Sequence, residues 1–194
     1  MITSREVALS IYGACQFAKF DRAAVQYFEN TPEAFWRSFY AAAISLPAYG
    51  LLVLLNFAEN PVNASGLRIL VVEFSAYVIG WTLFPLIMIG LTDTLNRFDR
   101  YFAFMAAWNW AIVLQMFLFL AITALIASGV IPPQVSGFVS LIALIAILIY
   151  QGFIALAALN ISVPAAVVIV AIDLLVALVL NLITRSFYPG AASA

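Results

Sequence analysis

Histidine is absent from this sequence, and cysteine occurs once, at Cys15. Without histidine there is no usual proton shuttle, no Ser-His or Cys-His nucleophile pair, and no source of the commonest metal ligand. A single cysteine cannot close an internal disulfide, so the redox compartment is not legible from it. Charge is the third scarcity: Asp, Glu, Lys and Arg make up 9% of the chain, against about 25% in an ordinary soluble domain. A net charge of −1 leaves no polybasic surface, which excludes nucleic acid as a partner. The deepest absence is local. From Tyr101 to Ile172 there is no Asp, Glu, Lys or Arg, and Asp173 then breaks the run inside the last hydrophobic segment. A soluble domain could not hide that stretch, because its surface would be one large apolar patch.

What is present is apolar. Hydrophobic residues make up 66% of the chain and the mean hydropathy is +1.11. The medium is therefore lipid. The expected fold class is all-α: a polytopic membrane protein, a bundle of five transmembrane helices preceded by a cytoplasmic or interfacial amphipathic helix. Spans are predicted at about residues 38–57, 69–92, 101–127, 135–159 and 164–184. The first region covers residues 1–37, the transmembrane domain 38–185, and a short tail 186–194. Eight charged side chains precede the first long apolar run, which begins near Ser38, so a cleavable signal peptide is not expected.

Local signals fill in this outline. Thr3 and Glu6 have capping-box spacing. Phe17, Phe20, Ala24 and Phe28 recur at helical spacing with charged residues between them. That face suits either a helix lying in the membrane interface or one packed on the ends of the bundle. Thr31-Pro32 reads as an N-cap followed by proline at the first helical position. Trp36 and Tyr40 stand where interfacial aromatics belong, and Pro47 should kink the first span. Asp93–Arg100 reads as a solvated, self-neutralising turn. Ser128-Gly129 with Pro132-Pro133, and Asn160 to Pro164, cut the uncharged run into helices.

Orientation follows from lysine and arginine. With five spans, Arg5, Lys19, Arg22, Arg37, Arg97 and Arg100 share one side, and Arg68 and Arg185 lie on the other. The first side is expected to be cytoplasmic, which puts the C-terminus outside, in the periplasm of a bacterium.

Polar residues inside the spans supply the candidate sites. A charge at the bilayer centre costs at least about 2.5 kcal/mol, so Asp173, midway along the fifth span, needs a reason. Ala166, Val170, Ala177 and Leu180 share its face, with Asn181 and Thr184 at the margin, which argues that the stripe meets protein. Depth matches it with Gln115 and Thr82, and Pro47 frees a carbonyl in the first span. Asn109 and Gln151 are expected nearer the cytoplasmic side. Glu73 is expected on the outer side, where Arg68 and Arg185 can neutralise it. Two readings of Asp173 stand: one hydrogen bond locking the bundle, or a relay for protons, cations or a polar substrate. Trp108 and Trp110 read as interfacial and packing residues, with Asn109 bonding between helices.

Certain stretches resemble a family. Pro32, Phe35 and Trp36 form a Pro-x-x-Phe-Trp approach, and Tyr77-Val78-Ile79-Gly80-Trp81-Thr82-Leu83-Phe84-Pro85 lies in the second span. With five close-spaced spans and the Ala-rich fifth span carrying Asp173, residues 25–185 resemble the Yip1-domain membrane proteins, in particular their bacterial branch. The resemblance implies a cytoplasmic N-terminus, a C-terminus across the membrane and residence in the bacterial inner membrane. Eukaryotic members associate with one another and with small GTPases, but no GTPase-contacting motif can be matched here residue by residue.

The sequence thus supports two functions. One is a non-enzymatic scaffold, assembly factor or accessory subunit that works through helix contacts with a protein partner or with further copies of itself. The other is a small oligomeric transporter or channel-like protein using Asp173. An intramembrane enzyme is not expected: no histidine exists to hold a catalytic metal, and an aspartyl dyad needs a second deep acid. No cofactor is expected.

Overall fold

The computed structural model describes residues 2–188. Helix α1 (Ser4–Ala18) is capped by Thr3, whose hydroxyl accepts from the Glu6 N–H at 3.2 Å. The reciprocal half of the capping box does not form, because the Glu6 carboxylate instead accepts from Arg37. A 3-10 turn follows (Arg22–Tyr27), then α2 (Pro32–Ser38), with Thr31 capping Ala34 at 3.2 Å and Pro32 at the first position. The long helices are α3 (Tyr40–Glu59), α4 (Gly66–Thr94), α5 (Tyr101–Ala127), α6 (Pro133–Leu159) and α7 (Val163–Ser186). No strand occurs among the described residues. From residue 189 on, the 186–194 tail lies outside them, as does Pro189, which the sequence places at the end of the fifth segment.

Five helical stretches are long and apolar enough to cross a membrane: Pro32–Glu59, Gly66–Thr94, Phe98–Ala127, Pro133–Leu159 and Val163–Ser186. The chain is an integral membrane protein with the all-α architecture its composition predicts. The first span begins earlier than residue 38 because α2 runs into α3 across Phe39, which keeps right-handed helical dihedrals.

The amphipathic spacing through Phe28 predicts a continuing helical face, and here the structure differs. Helix α1 ends at Ala18, and in the turn after it Phe20 takes a φ of 60°, the left-handed conformation usually given to glycine. The Asp21 N–H bonds back to the Gln16 carbonyl at 3.2 Å and closes the end of α1. The chain reverses, so Phe17 and Phe28 meet as a stacked pair 5.9 Å apart rather than as neighbours on one helix. The reversal needs room, and Gly13 supplies it. A Cβ at Gly13 would lie 2.8 Å from Tyr27 Cβ and 2.8 Å from the Phe28 ring. Gly13→Val should therefore destabilise this region by about 1–3 kcal/mol, the usual range for overpacking. Limited proteolysis between residues 18 and 32 checks it, with faster cutting in the variant.

Helix α5 is the hub. Along Ala103, Ala106, Ala107 and Ala111 it carries small buried side chains, and α1, α2, α3 and α6 all pack on it. Lipid is as apolar as a leucine side chain, so close van der Waals fit does the work that water exclusion does in soluble proteins. Helix α3 answers with Ala41, Ser45 and Ala48, spaced on one face and all buried. The tight part of α5 ends near Gln115; Phe117 and Leu118 are exposed.

Helix α1 packs by its inner face on α5 and α6, where the Tyr150 hydroxyl donates to the Ala14 carbonyl at 2.9 Å. Its outer face keeps Leu9 and Tyr12 exposed. The same end gathers the charged loops. Asn30 donates to the Asp99 carbonyl and accepts from the Ala103 N–H at 3.0 Å, and Arg97 donates to the Asn160 carbonyl at 3.3 Å. Six of the eight basic residues lie in these N-terminal and loop segments, Arg68 and Arg185 at the opposite end.

Candidate functional site

The deep acid has found partners. Gln151 of α6 donates through Nε2 to Asp173 Oδ2 at 3.1 Å and reaches Gln115 Oε1 of α5 at 3.4 Å. Three successive helices thus contribute one polar side chain each. Gln115 and Gln151 are buried and Asp173 is half-buried. Gln115 Nε2 has no partner among the described residues. Depth matching put Gln115 directly against Asp173 and Gln151 nearer the cytoplasmic side. The geometry corrects this: Gln151 is the direct partner and Gln115 joins only through it. A glutamine side chain spans most of a helical turn, so helix rotation outweighs a small difference in depth.

Thr82 is not part of the cluster. It is exposed, and its hydroxyl bonds back to the Val78 and Ile79 carbonyls of its own helix at 3.0 and 3.1 Å. Pro47 is likewise exposed. The Tyr77 hydroxyl donates instead to the carbonyl of Ala42, one residue before the group that Pro47 frees.

Asn109 bonds between helices as expected, donating to Ser38 Oγ at 2.8 Å, while Ser38 donates to the Phe35 carbonyl at 2.6 Å. This pins the α2–α3 junction to α5. Asn109→Leu leaves the Ser38 hydroxyl its Phe35 bond but removes the interhelical one, and should cost about 0.6–1.7 kcal/mol. Urea titration in bicelles reads it; Ser38→Ala should cost about the same, and the double variant no more than either alone.

Helices α3 and α4 do not pack closely, and α4 leans on α7 instead. The gap between α3, α4, α5 and α7 is a cavity of about 900 Å³. Glu59, Asn60, Pro61 and Val62 stand at its loop end, and Ile112 and Met116 of α5 form the back. The stripe predicted around Asp173 divides here. Ala166 and Val170 are buried against protein, whereas Ala177, Leu180, Asn181 and Thr184 line the cavity.

Glu73 is the acid in the cavity wall. It stands seven residues into α4, about 10 Å from the helix start at 1.5 Å per residue. Tyr49 donates to Glu73 Oε2 at 2.8 Å and Tyr188 to Oε1 at 2.8 Å. Among the described residues no Lys or Arg nitrogen comes within 4.0 Å of this carboxylate. The expected pairing with Arg68 and Arg185 is therefore replaced by two phenols. Both arginines are exposed, and a guanidinium keeps its hydration there at lower cost than inside an apolar wall. Burial first, and then the bond to the Glu73 carboxylate, push the Tyr188 phenol well above its ordinary pKa, so it remains a hydrogen donor. Tyr49 and Tyr188 carry no warning in the sequence; both look like ordinary membrane aromatics.

Rings frame the acid. Tyr49 and Tyr77 have centroids 4.6 Å apart, Tyr77 and Trp81 6.0 Å, and Phe57 meets Tyr188 edge-on at 5.2 Å. The arrangement offers one carboxylate, several aromatic faces and aliphatic walls, with Asn56 and Asn181 as further polar contacts. Compared with protein-family models, curated proteins and solved structures, the chain matches none.

Proposed function

We propose that the chain is a non-enzymatic integral membrane protein that receives a small amphipathic molecule in the cavity between α3, α4 and α7, as a membrane binding protein or the binding stage of a carrier. The observation that carries this is the cavity itself. Its volume of about 900 Å³ lies within the ~300–1,000 Å³ of ordinary ligand sites, and its walls are apolar with a few convergent polar groups. The transporter reading thus moves from Asp173 to Glu73. Asp173, already bonded to Gln151, reads as a lock between helices.

The lysine and arginine bias supports a cytoplasmic N-terminal end, which would open the cavity toward the opposite face of the membrane, the periplasm in a bacterial inner membrane. A Yip1-like relationship fits the same five-span arrangement and rests on Pro32, Phe35, Trp36 and the Tyr77–Pro85 stretch. Under that reading, protein partners or further copies would act at the charged end.

Purification in a gentle detergent followed by mass spectrometry tests the proposal. The native protein should retain a small molecule in stoichiometric amount, and Ala76→Trp, which fills the cavity, should lose it. A stoichiometric protein partner, with no small molecule in either preparation, would favour the scaffold reading instead.

A further inference from the structure

Resting on that cavity as a binding site, we infer that its ligand carries an organic ammonium group, held by the Glu73 carboxylate against the rings of Tyr49, Tyr77, Trp81 and Tyr188. Three observations converge on this chemistry. Glu73 is half-buried in the wall of a cavity between transmembrane helices, and no Lys or Arg nitrogen among the described residues comes within 4.0 Å of its carboxylate, which marks it as a candidate site. The two phenols keep the acid oriented and supply hydrogen bonds, but they carry no positive charge. A ligand cation would supply what is missing.

The walls decide which cation. A hard metal ion wants six or more oxygen ligands, and no group of three acidic, histidine or cysteine side chains clusters among the described residues. Aromatic faces cannot replace those oxygens, but they attract substituted ammonium groups through the ring quadrupole. Tyr49, half-buried beside the acid, gives such a group its most accessible ring, and the largely buried Tyr77 and Trp81 line the cavity behind it. Charges at the rim do not reverse the preference. Glu59 and Arg185 both line the cavity, are exposed and offset each other, while Arg68 lies near enough to act on the Tyr188 phenol but is exposed and outside the lining, which leaves Glu73 as the uncompensated charge in the cavity wall itself. Behind it, Leu52, Val53, Ile112, Met116 and Leu180 offer room for an apolar tail. A free amphipathic amine and the amine head group of a lipid share this chemistry.

The test is calorimetric titration of the purified full-length chain in maltoside with benzyltrimethylammonium and with its neutral carbon isostere, neopentylbenzene. The expected result is binding of the cation, with the isostere at least tenfold weaker. Glu73→Gln, which keeps an acceptor for a phenol, should weaken the cation at least tenfold. The cation should also raise the melting temperature of the native chain and leave that of the variant unmoved. Phosphatidylethanolamine that displaces the probe where phosphatidylglycerol does not identifies a lipid amine as the natural occupant. No displacement by either identifies a free amine, and both results keep the assignment. Equal binding of cation and isostere, unchanged by Glu73→Gln but abolished by Ala76→Trp, overturns the ammonium assignment and leaves the cavity standing. No binding of either probe, with Ala76→Trp indistinguishable from native, overturns both.

Discussion

Gln151→Leu should lower the stability of the folded bundle by about 2–3 kcal/mol, more than any change at Asp173 itself. The asymmetry follows from who bonds to whom. Among the described residues Gln151 alone bonds both others, at 3.1 Å to Asp173 and 3.4 Å to Gln115. A single interhelical hydrogen bond in a membrane is worth little, about 0.6 kcal/mol on average. A buried polar group left without any partner costs about 1–3 kcal/mol. Leucine at position 151 orphans two groups at once, one of them an acid in an apolar layer. Asp173→Asn keeps an acceptor for Gln151 and should change stability by less than about 0.5 kcal/mol, within the range of a substitution that breaks no contact. Asp173→Leu leaves Gln151 bonded to Gln115 and removes the acid, so it should cost less than Gln151→Leu. Unfolding by sodium dodecyl sulfate, followed by circular dichroism, reads all three. Equal losses for Gln151→Leu and Asp173→Asn would mean that the lock depends on the carboxylate itself and not on the amide that bridges it.

Trp108→Ala should be the costliest truncation in the hub, about 3 kcal/mol. Trp108 is 2% exposed, stacked on Phe84 of α4 at 4.7 Å and tilted against Phe104 at 5.4 Å. In soluble proteins such a change costs about 3–5 kcal/mol. The low end applies here because the unfolded reference state is solvated by lipid. Transfer of the ring out of water then contributes little, and lost packing contributes most of the effect. Trp108→Phe, which keeps a ring against Phe84, should recover more than half of the loss. The same denaturation curve measures both. The consequence is local: α4 touches α5 along only part of its length, so the α4 half-cavity should loosen before α6 and α7 do.

The architecture was legible because lipid imposes strong rules on a chain. The uncharged run from Tyr101, the breaks at Ser128–Pro133 and Asn160–Pro164, and the caps at Thr3 and Thr31 were each set by local chemistry, and each found its place. Contacts that depend on rotation about a helix axis were not legible. Depth along the membrane can be counted in residues, and it matched Gln115 and Thr82 to Asp173. Direction around the axis cannot be counted the same way, so Thr82 proved to face outward and Gln151 to hold the acid. Phe20 misled for another reason. Its spacing fits a helical face, whereas its left-handed turn depends on the Asp21–Gln16 backbone bond and on the crossing of Tyr27 and Phe28 over Gly13, the second a contact that spacing does not reveal. The cavity arises from a negative feature, the parting of α3 from α4, which no residue announces. Glu73 was visible as an outer-side acid, but its phenol partners come from α3 and from beyond the end of α7.

A ligand can enter between α3 and α4 only if their parting is a solvent-reaching cavity, and cysteine accessibility measures this directly. Cys15 is first replaced by alanine. Single cysteines then stand at Ala76 and Asn181, which line the cavity, and at Leu178 and Val179, which face outward from α7. Intact cells or sealed vesicles are treated from the outer face with a membrane-impermeant maleimide. Cysteines at 76 and 181 should label readily while those at 178 and 179 stay inert. Equal inertness at all four positions would contradict a cavity open to that face.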